Sequence, residues 1–143
     1  MLLETPFDRL QPGTRWVSRG RTITETDIVQ FAGLTGDWFP LHTDREYAAQ
    51  TAYGARIAHG LLVLSVAAGL VPLPPESIVA LYGMDRVRFT RPVFIGDTIH
   101  VEVQVARKDA RGADRGLLTI VLDVRNQRGE TVAMTHSKIL VRR

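Results

Sequence analysis

The spacing of apolar positions along the chain changes twice. Gly13 to Ile23 is mostly polar, with Trp16 and Val17 set into it, and predicts an edge strand. From Thr24 to Gly36 the apolar residues Ile28, Phe31 and Ala32 fall on one helical stripe. Thr24 followed by Asp27 makes a near capping box, and Ile23 and Ile28 stand where a hydrophobic staple belongs. Gly33 to Gly36 closes this helix, because glycine accepts the left-handed conformation of a C-cap. A second short helix is predicted from Thr43 as N-cap with Glu46 at its third position, leaving His42 immediately before it. Leu61 to Leu70 is apolar on every side, which predicts a helix enclosed by protein all round. Pro72, Pro74 and Pro75 end it.

From about Ser77 the period becomes two. Val87 and Phe89 alternate with Arg86 and Arg88; Ile99, Val101, Val103 and Val105 form the cleanest strand pattern; Leu118, Ile120, Leu122 and Val124 form the next. The charged segment Arg107 to Gly116 and the turn Asn126 to Gly129 join the last three strands. In the final strand the apolar phase slips between Val132 and Met134 on one side and Ile139 and Val141 on the other, which predicts a bulge near Thr135 to Ser137. A strand, helices and then a run of strands predict a single α+β domain over residues 1–143, with a mostly antiparallel sheet curled around one apolar helix.

Composition narrows the function. With 45% hydrophobic residues the chain can bury a core without staples, and the absence of cysteine removes disulfides, thiolate metal sites and cysteine nucleophiles. The segment Met1 to Leu10 carries Glu4 and Asp8 and lacks the pattern of a signal peptide, so the cytoplasm is the expected location. The longest apolar stretch, Leu61 to Leu73, is too short and too interrupted for a membrane span. All 18 basic residues except Lys108 and Lys138 are arginine, whose planar fork suits phosphates. No aromatic-studded basic run or finger motif points to nucleic acid.

Asp37 and His42 are a carboxylate and an imidazole crowded into one loop, bounded by glycine on one side and a predicted cap on the other. Such a pair can share one water, one group taking a proton and the other supplying or relaying one. The apolar neighbours Trp38, Phe39 and Leu41 are expected to bring both pKa values toward neutrality. Neither the histidines nor the carboxylates show metal-ligand spacing, and no phosphate loop or nucleophile elbow is present. His59 is a weaker candidate, able to shape the loop; His100 and His136 read as solvent-facing strand residues.

The run Gly36-Asp37-Trp38-Phe39-Pro40-Leu41-His42, with Thr43-Asp44, Tyr47-Ala48 and Ala58-His59-Gly60-Leu61, resembles the motif of the MaoC-like dehydratases, or (R)-specific enoyl-CoA hydratases. Arg88-Phe89 through Pro92-Val93 and Gly96-Asp97 extend the likeness over most of the chain. The resemblance implies a hot-dog fold and a homodimer or dimer of dimers. It further implies that Asp37 and His42 hold the water that adds to a trans-2-enoyl thioester of coenzyme A, or of acyl carrier protein, giving a (3R)-3-hydroxyacyl product. The Gly60 N–H would receive the thioester oxygen, and Trp38, Phe39, Pro40, Leu41, His59 and Leu61 would line the substrate site. No separate cofactor or metal is implied. The sequence departs from the family pattern at Phe39, where the motif has asparagine, and at Ala68, where some members carry an acyl-side serine. Arg86, Arg88, Arg91, Arg111 and Arg115 are available for coenzyme A phosphates. Two other readings remain open at this stage, a hot-dog thioesterase and a non-catalytic acyl-thioester binder.

Overall fold

The computed structural model describes residues 2–143; Met1, the first residue of the expected domain span, lies outside them. The sheet is wholly antiparallel, in the order β1-β4-β5-β6-β3, with β2 pairing β4 off the main path. Its long members are β3 (Ile78–Phe89), β4 (Thr98–Arg111), β5 (Arg115–Arg125) and β6 (Thr131–Arg142). The predicted N-terminal strand divides into β1 (Arg15–Val17) and β2 (Arg21–Thr22).

Alternation in the strands becomes a core on one face. Ile99, Val101, Val103 and Val105 of β4 and Leu118, Ile120 and Val124 of β5 are all essentially inaccessible. Each such side chain contributes about 1.5–3 kcal/mol of burial. Against this face lies α4 (Gly60–Leu70), burying Leu62, Val63, Leu64, Ala67 and Leu70. The architecture is the hot dog expected, an antiparallel sheet wrapped on one apolar helix.

The helix is not enclosed all round, however. Leu61 is 62% exposed, and Ser65 and Gly69 share its open stripe. The edge strand β3 likewise turns Val79, Leu81 and Tyr82 outward. Apolar composition on this side does not correspond to burial within one chain.

The strand joins also differ from the pattern. The β4–β5 pairing continues to Arg111 opposite Arg115, so the charged segment is mostly strand and the turn is short. In β6 the phase does not slip at Thr135 to Ser137. Ala133, Thr135, Ser137, Ile139 and Val141 all face the core, and the extra residue is Val132, between the pairs Val124–Ala133 and Arg125–Thr131. Three further register shifts lie in β3 opposite β6, and Arg86 in the last of them has φ 53°. Such insertions increase twist and coil an edge strand.

The N-terminal turns Leu2–Glu4 and Phe7–Arg9, which the pattern did not reveal, bury Leu2, Leu3, Phe7 and Leu10 in the core. Helix α1 (Glu25–Thr35) begins with a full capping box, Thr24 accepting from the Asp27 N–H while Asp27 accepts from the Thr24 N–H. Arg21 grips Asp27 through two bonds of 2.6 and 2.7 Å and holds its carboxyl well below the usual carboxylate range. This ties β2 to the helix that leads into the loop at Asp37.

Candidate active site

Gly36, with φ 80°, closes α1 and donates to Ala32 O at 2.8 Å. A residue with a Cβ is disfavoured there, and the turn sends the chain directly into Asp37. The Asp37 carboxylate accepts the Phe39 N–H at 3.2 Å, so the loop orients its own acid. Pro40 then starts a one-turn helix, α2 (Pro40–Thr43), which carries His42.

The next helix, α3 (Arg45–Ala49), is capped by Asp44, whose side chain accepts from the Tyr47 N–H. The expected Thr43–Glu46 box is therefore displaced by one residue. Thr43 is released to tie the loop, its hydroxyl donating to the carbonyls of Trp38 and Phe39 at 3.0 and 3.2 Å. His42 sits inside a helix rather than before one.

Nδ1 of His42 lies 2.7 Å from the carbonyl of Ile57. A carbonyl only accepts, so Nδ1 carries the hydrogen and Nε2 presents its lone pair in the neutral ring. Burial pushes the His42 pKa below the ordinary 6.5 and His59 adds to this, while the Ile57 bond and Asp37 oppose it. The His42 pKa moves down rather than up, which keeps the ring neutral at neutral pH.

His59 is more central than the sequence indicated. It is 2% exposed and caps the start of α4, and its Nε2 donates to the backbone carbonyl of Asp37 at 2.9 Å. Its ring centroid lies 4.0 Å from that of His42 and 4.9 Å from that of Phe31. One donor atom each from Asp37, His42 and His59 lies within 4.8 Å of the others. A water bonded to two groups bridges roughly 5.6 Å, so any pair of these atoms can share one. The trio could also hold a metal ion, a grouping that linear spacing did not disclose.

Replacing His59 with Phe keeps a ring against His42 but removes the donor to Asp37. The lost bond costs about 1 kcal/mol, partly offset because the buried Nδ1 of His59 has no partner among the described residues. The expected result is a nearly unchanged melting temperature with about fivefold faster amide exchange at Phe39 and His42, and a slower rate on restoring a donor with His59→Gln.

Gly60 begins α4, and the first bond into the helix runs from the Val63 N–H to the His59 carbonyl at 3.1 Å. The N–H of Gly60 is one of the donors that a helix start leaves without an internal partner. Gly60 and His42 line one cavity of about 360 Å³, with Tyr53, Ile57, Phe89, Arg91 and Val132 among its other walls. A Cβ on Gly60 would stand 2.9 Å from the Phe89 ring.

The predicted residues are thus brought together in part. Asp37, His42 and His59 cluster, and of these three His42 lines the cavity together with Gly60 whereas Asp37 and His59 do not. Trp38 and Phe39 are about half exposed, Pro40 and Leu61 are also exposed, Leu41 is half-buried, and none of these five lines the cavity with Gly60. Among the candidate arginines Arg91 does line it, whereas Arg111 and Arg115 flank the β4–β5 turn at the far end of β4. The sequence marks Phe89 as a strand residue and part of the family likeness but not as a wall of the site, Tyr53 and Ile57 are not singled out by it, and a backbone carbonyl leaves no signal in residue identity.

The MaoC like domain model matches residues 10–125. The chain belongs to the MaoC-like domain family. A MaoC protein from Klebsiella aerogenes is 43% identical over 73% of this chain, which spans 32% of that relative's length. An (R)-specific enoyl-CoA hydratase from Aeromonas caviae is 33% identical over 80% of this chain and 82% of its own. Among solved structures, a monoamine oxidase regulatory protein from Archaeoglobus fulgius superposes with TM-score 0.91 at 44% identity, over 96% of this chain and 94% of the other. The loop from Asp37 to His42 and the start of α4 at Gly60 both fall inside the matched MaoC-like span.

Proposed function

We propose that this MaoC-like protein reversibly adds water to a trans-2-enoyl thioester, giving a (3R)-3-hydroxyacyl thioester. The observation that carries the reading is the His42 Nδ1–H bond to Ile57, which leaves Nε2 with a lone pair in a ring that clusters with Asp37 and lines the cavity with Gly60. In the forward step Asp37 orients the water and the Nε2 of His42 takes its proton. The oxygen adds to the β-carbon, and charge moves to the thioester oxygen at the Gly60 N–H and the positive end of α4. The imidazolium then returns the proton to the α-carbon, so one water is consumed and the base is restored. His42 is the one proton carrier in these steps, and coenzyme A enters only as the thiol of the substrate.

Arg91, in the wall of the same cavity, is the arginine best placed for a phosphate of coenzyme A or of an acyl carrier protein's prosthetic arm. The outward Leu61, Leu81 and Tyr82 support a homodimer, since an exposed apolar edge of this length calls for a partner. Among the described residues no helix is long and apolar enough to cross a membrane; a cytoplasmic location is part of this proposal.

The test is to supply crotonyl-CoA and longer trans-2-enoyl-CoAs while following both the conjugated thioester absorbance and free thiol. Loss of absorbance without thiol is the expected result. Thiol release would make the protein a thioesterase, and no change in either signal would end the catalytic reading.

The pH dependence has a definite sign. Because the folded His42 pKa lies below 6.5, the rate is flat through neutrality and falls roughly tenfold per unit only below that value. In the window between the folded and unfolded values the unfolded chain binds more protons, so this group's contribution to stability is present above 6.5 and is lost as pH falls through the folded value. An acid limb centred above 6.5 would contradict the assignment of His42 as base.

A further inference from the structure

A second cavity, of about 70 Å³, lies farther along α4. Its walls are almost wholly apolar, Ala68 of α4, Val71 just past its end, and Ile120, Leu122 and Ile139 from the sheet among them. The exception is Ser137. It is 2% exposed, it lines this cavity, and its hydroxyl has no hydrogen-bond partner among the described residues. Its neighbour on the same strand face, Thr135, is buried too but donates to the carbonyl of Asp85 at 3.2 Å. Ser137 is therefore a polar group placed in a dry wall without the local partner its neighbour has.

Both cavities follow one seam between α4 and β6. Gly60, Val63 and Val132 line the first; Ala68, Val71, Ser137 and Ile139 line the second. From Gly60 to Ala68 the helix advances about 12 Å, the reach of a medium-length acyl chain extending from a carbonyl at Gly60. A water in the second cavity would be poorly held, because a buried water needs two or more polar partners and this wall supplies one. An ether or keto oxygen needs only one donor, and Ser137 supplies it.

A medium-length chain held at Gly60 ends in the second cavity, and we propose that Ser137 selects chains bearing an acceptor oxygen there, a keto or alkoxy group, over plain alkyl chains. This rests on the hydratase reading above. Ser137 is a specificity determinant under this proposal and takes no part in proton transfer.

The experiment compares trans-2-decenoyl-CoA with analogues of equal length carrying a terminal methoxy group or a keto group near the end, and uses crotonyl-CoA as a reference too short to reach Ser137. Wild type is expected to favour the oxygenated chains in kcat/KM by about tenfold, the worth of one hydrogen bond no longer left unmade. Ser137→Ala should erase that preference, leave crotonyl-CoA turnover unchanged and raise the melting temperature, since it deletes an unpartnered buried hydroxyl. Equal preference in wild type and Ser137→Ala overturns the proposal while crotonyl-CoA turnover still upholds the hydratase. So does turnover of crotonyl-CoA with none of any longer chain. If no enoyl thioester reacts at all, the function and the proposal fail together.

Discussion

Asp37→Asn and His42→Ala are each expected to lower kcat/KM for enoyl thioester hydration by about 10²–10⁴, with the folded structure retained. Asn keeps an oxygen for the Phe39 N–H, which Asp37 accepts at 3.2 Å, so the loop keeps its turn and loses only its charge. Ala at position 42 leaves the Ile57 carbonyl unbonded and removes the ring packed on His59, but His42 is half-buried and lies outside the apolar core cluster. The double variant should be no worse than the poorer single one, because both groups act on one water and removing either ends the shared step. Losses that multiply in the double variant would mean that the two side chains serve separate steps. Circular dichroism and melting curves taken alongside the kinetics separate this outcome from unfolding.

Which parts of this site could be read in advance follows from what kind of atom does each job. Asp37 and His42 are side chains in one loop, and a carboxylate five residues from an imidazole is visible in the sequence. Their orientation depends on atoms that are not. The Ile57 carbonyl that fixes the His42 tautomer belongs to a backbone, and any residue at position 57 would supply it. His59 stands 22 residues from the carbonyl it holds, a contact made only when α4 and the loop fold together.

Misread elements had competing signals of similar strength. Thr43 and Asp44 are both good caps, and Pro40 decided between them by starting a helical turn that consumed Thr43, leaving Asp44 to cap α3. In β6 the polar Thr135 and Ser137 made a continuous buried face look like a phase change, and the real insertion lies at Val132. For α4 the error had another origin. An all-apolar helix reports that every side meets something apolar, but not that the partner belongs to the same chain, and Leu61 is open.

Gly60→Ala is expected to reduce hydration about 10²-fold while the Gly60 position keeps its N–H. A methyl there would sit 2.9 Å from Cδ1 and Cε1 of Phe89, tighter than packed carbons tolerate. Phe89 is 49% exposed and lies in the cavity wall, so the ring has room to swing and the chain stays folded. Relief comes either from that swing, which reshapes the cavity, or from a shift of the first turn of α4. A displacement of about 1 Å at an aligned donor is enough for a loss of this size. The cause is separable from the effect by a second substitution. Phe89→Ala in the Gly60→Ala background removes the collision, so the double variant should recover most of the lost rate even though Phe89→Ala alone does not raise it. Recovery would tie the requirement for glycine at position 60 to the Phe89 ring. If the double variant stays as slow as Gly60→Ala, the glycine is needed for the conformation of the helix start itself. If Gly60→Ala is fully active, the N-terminus of α4 does not receive the thioester oxygen closely enough to sense a methyl group, and the oxyanion role assigned to it is wrong.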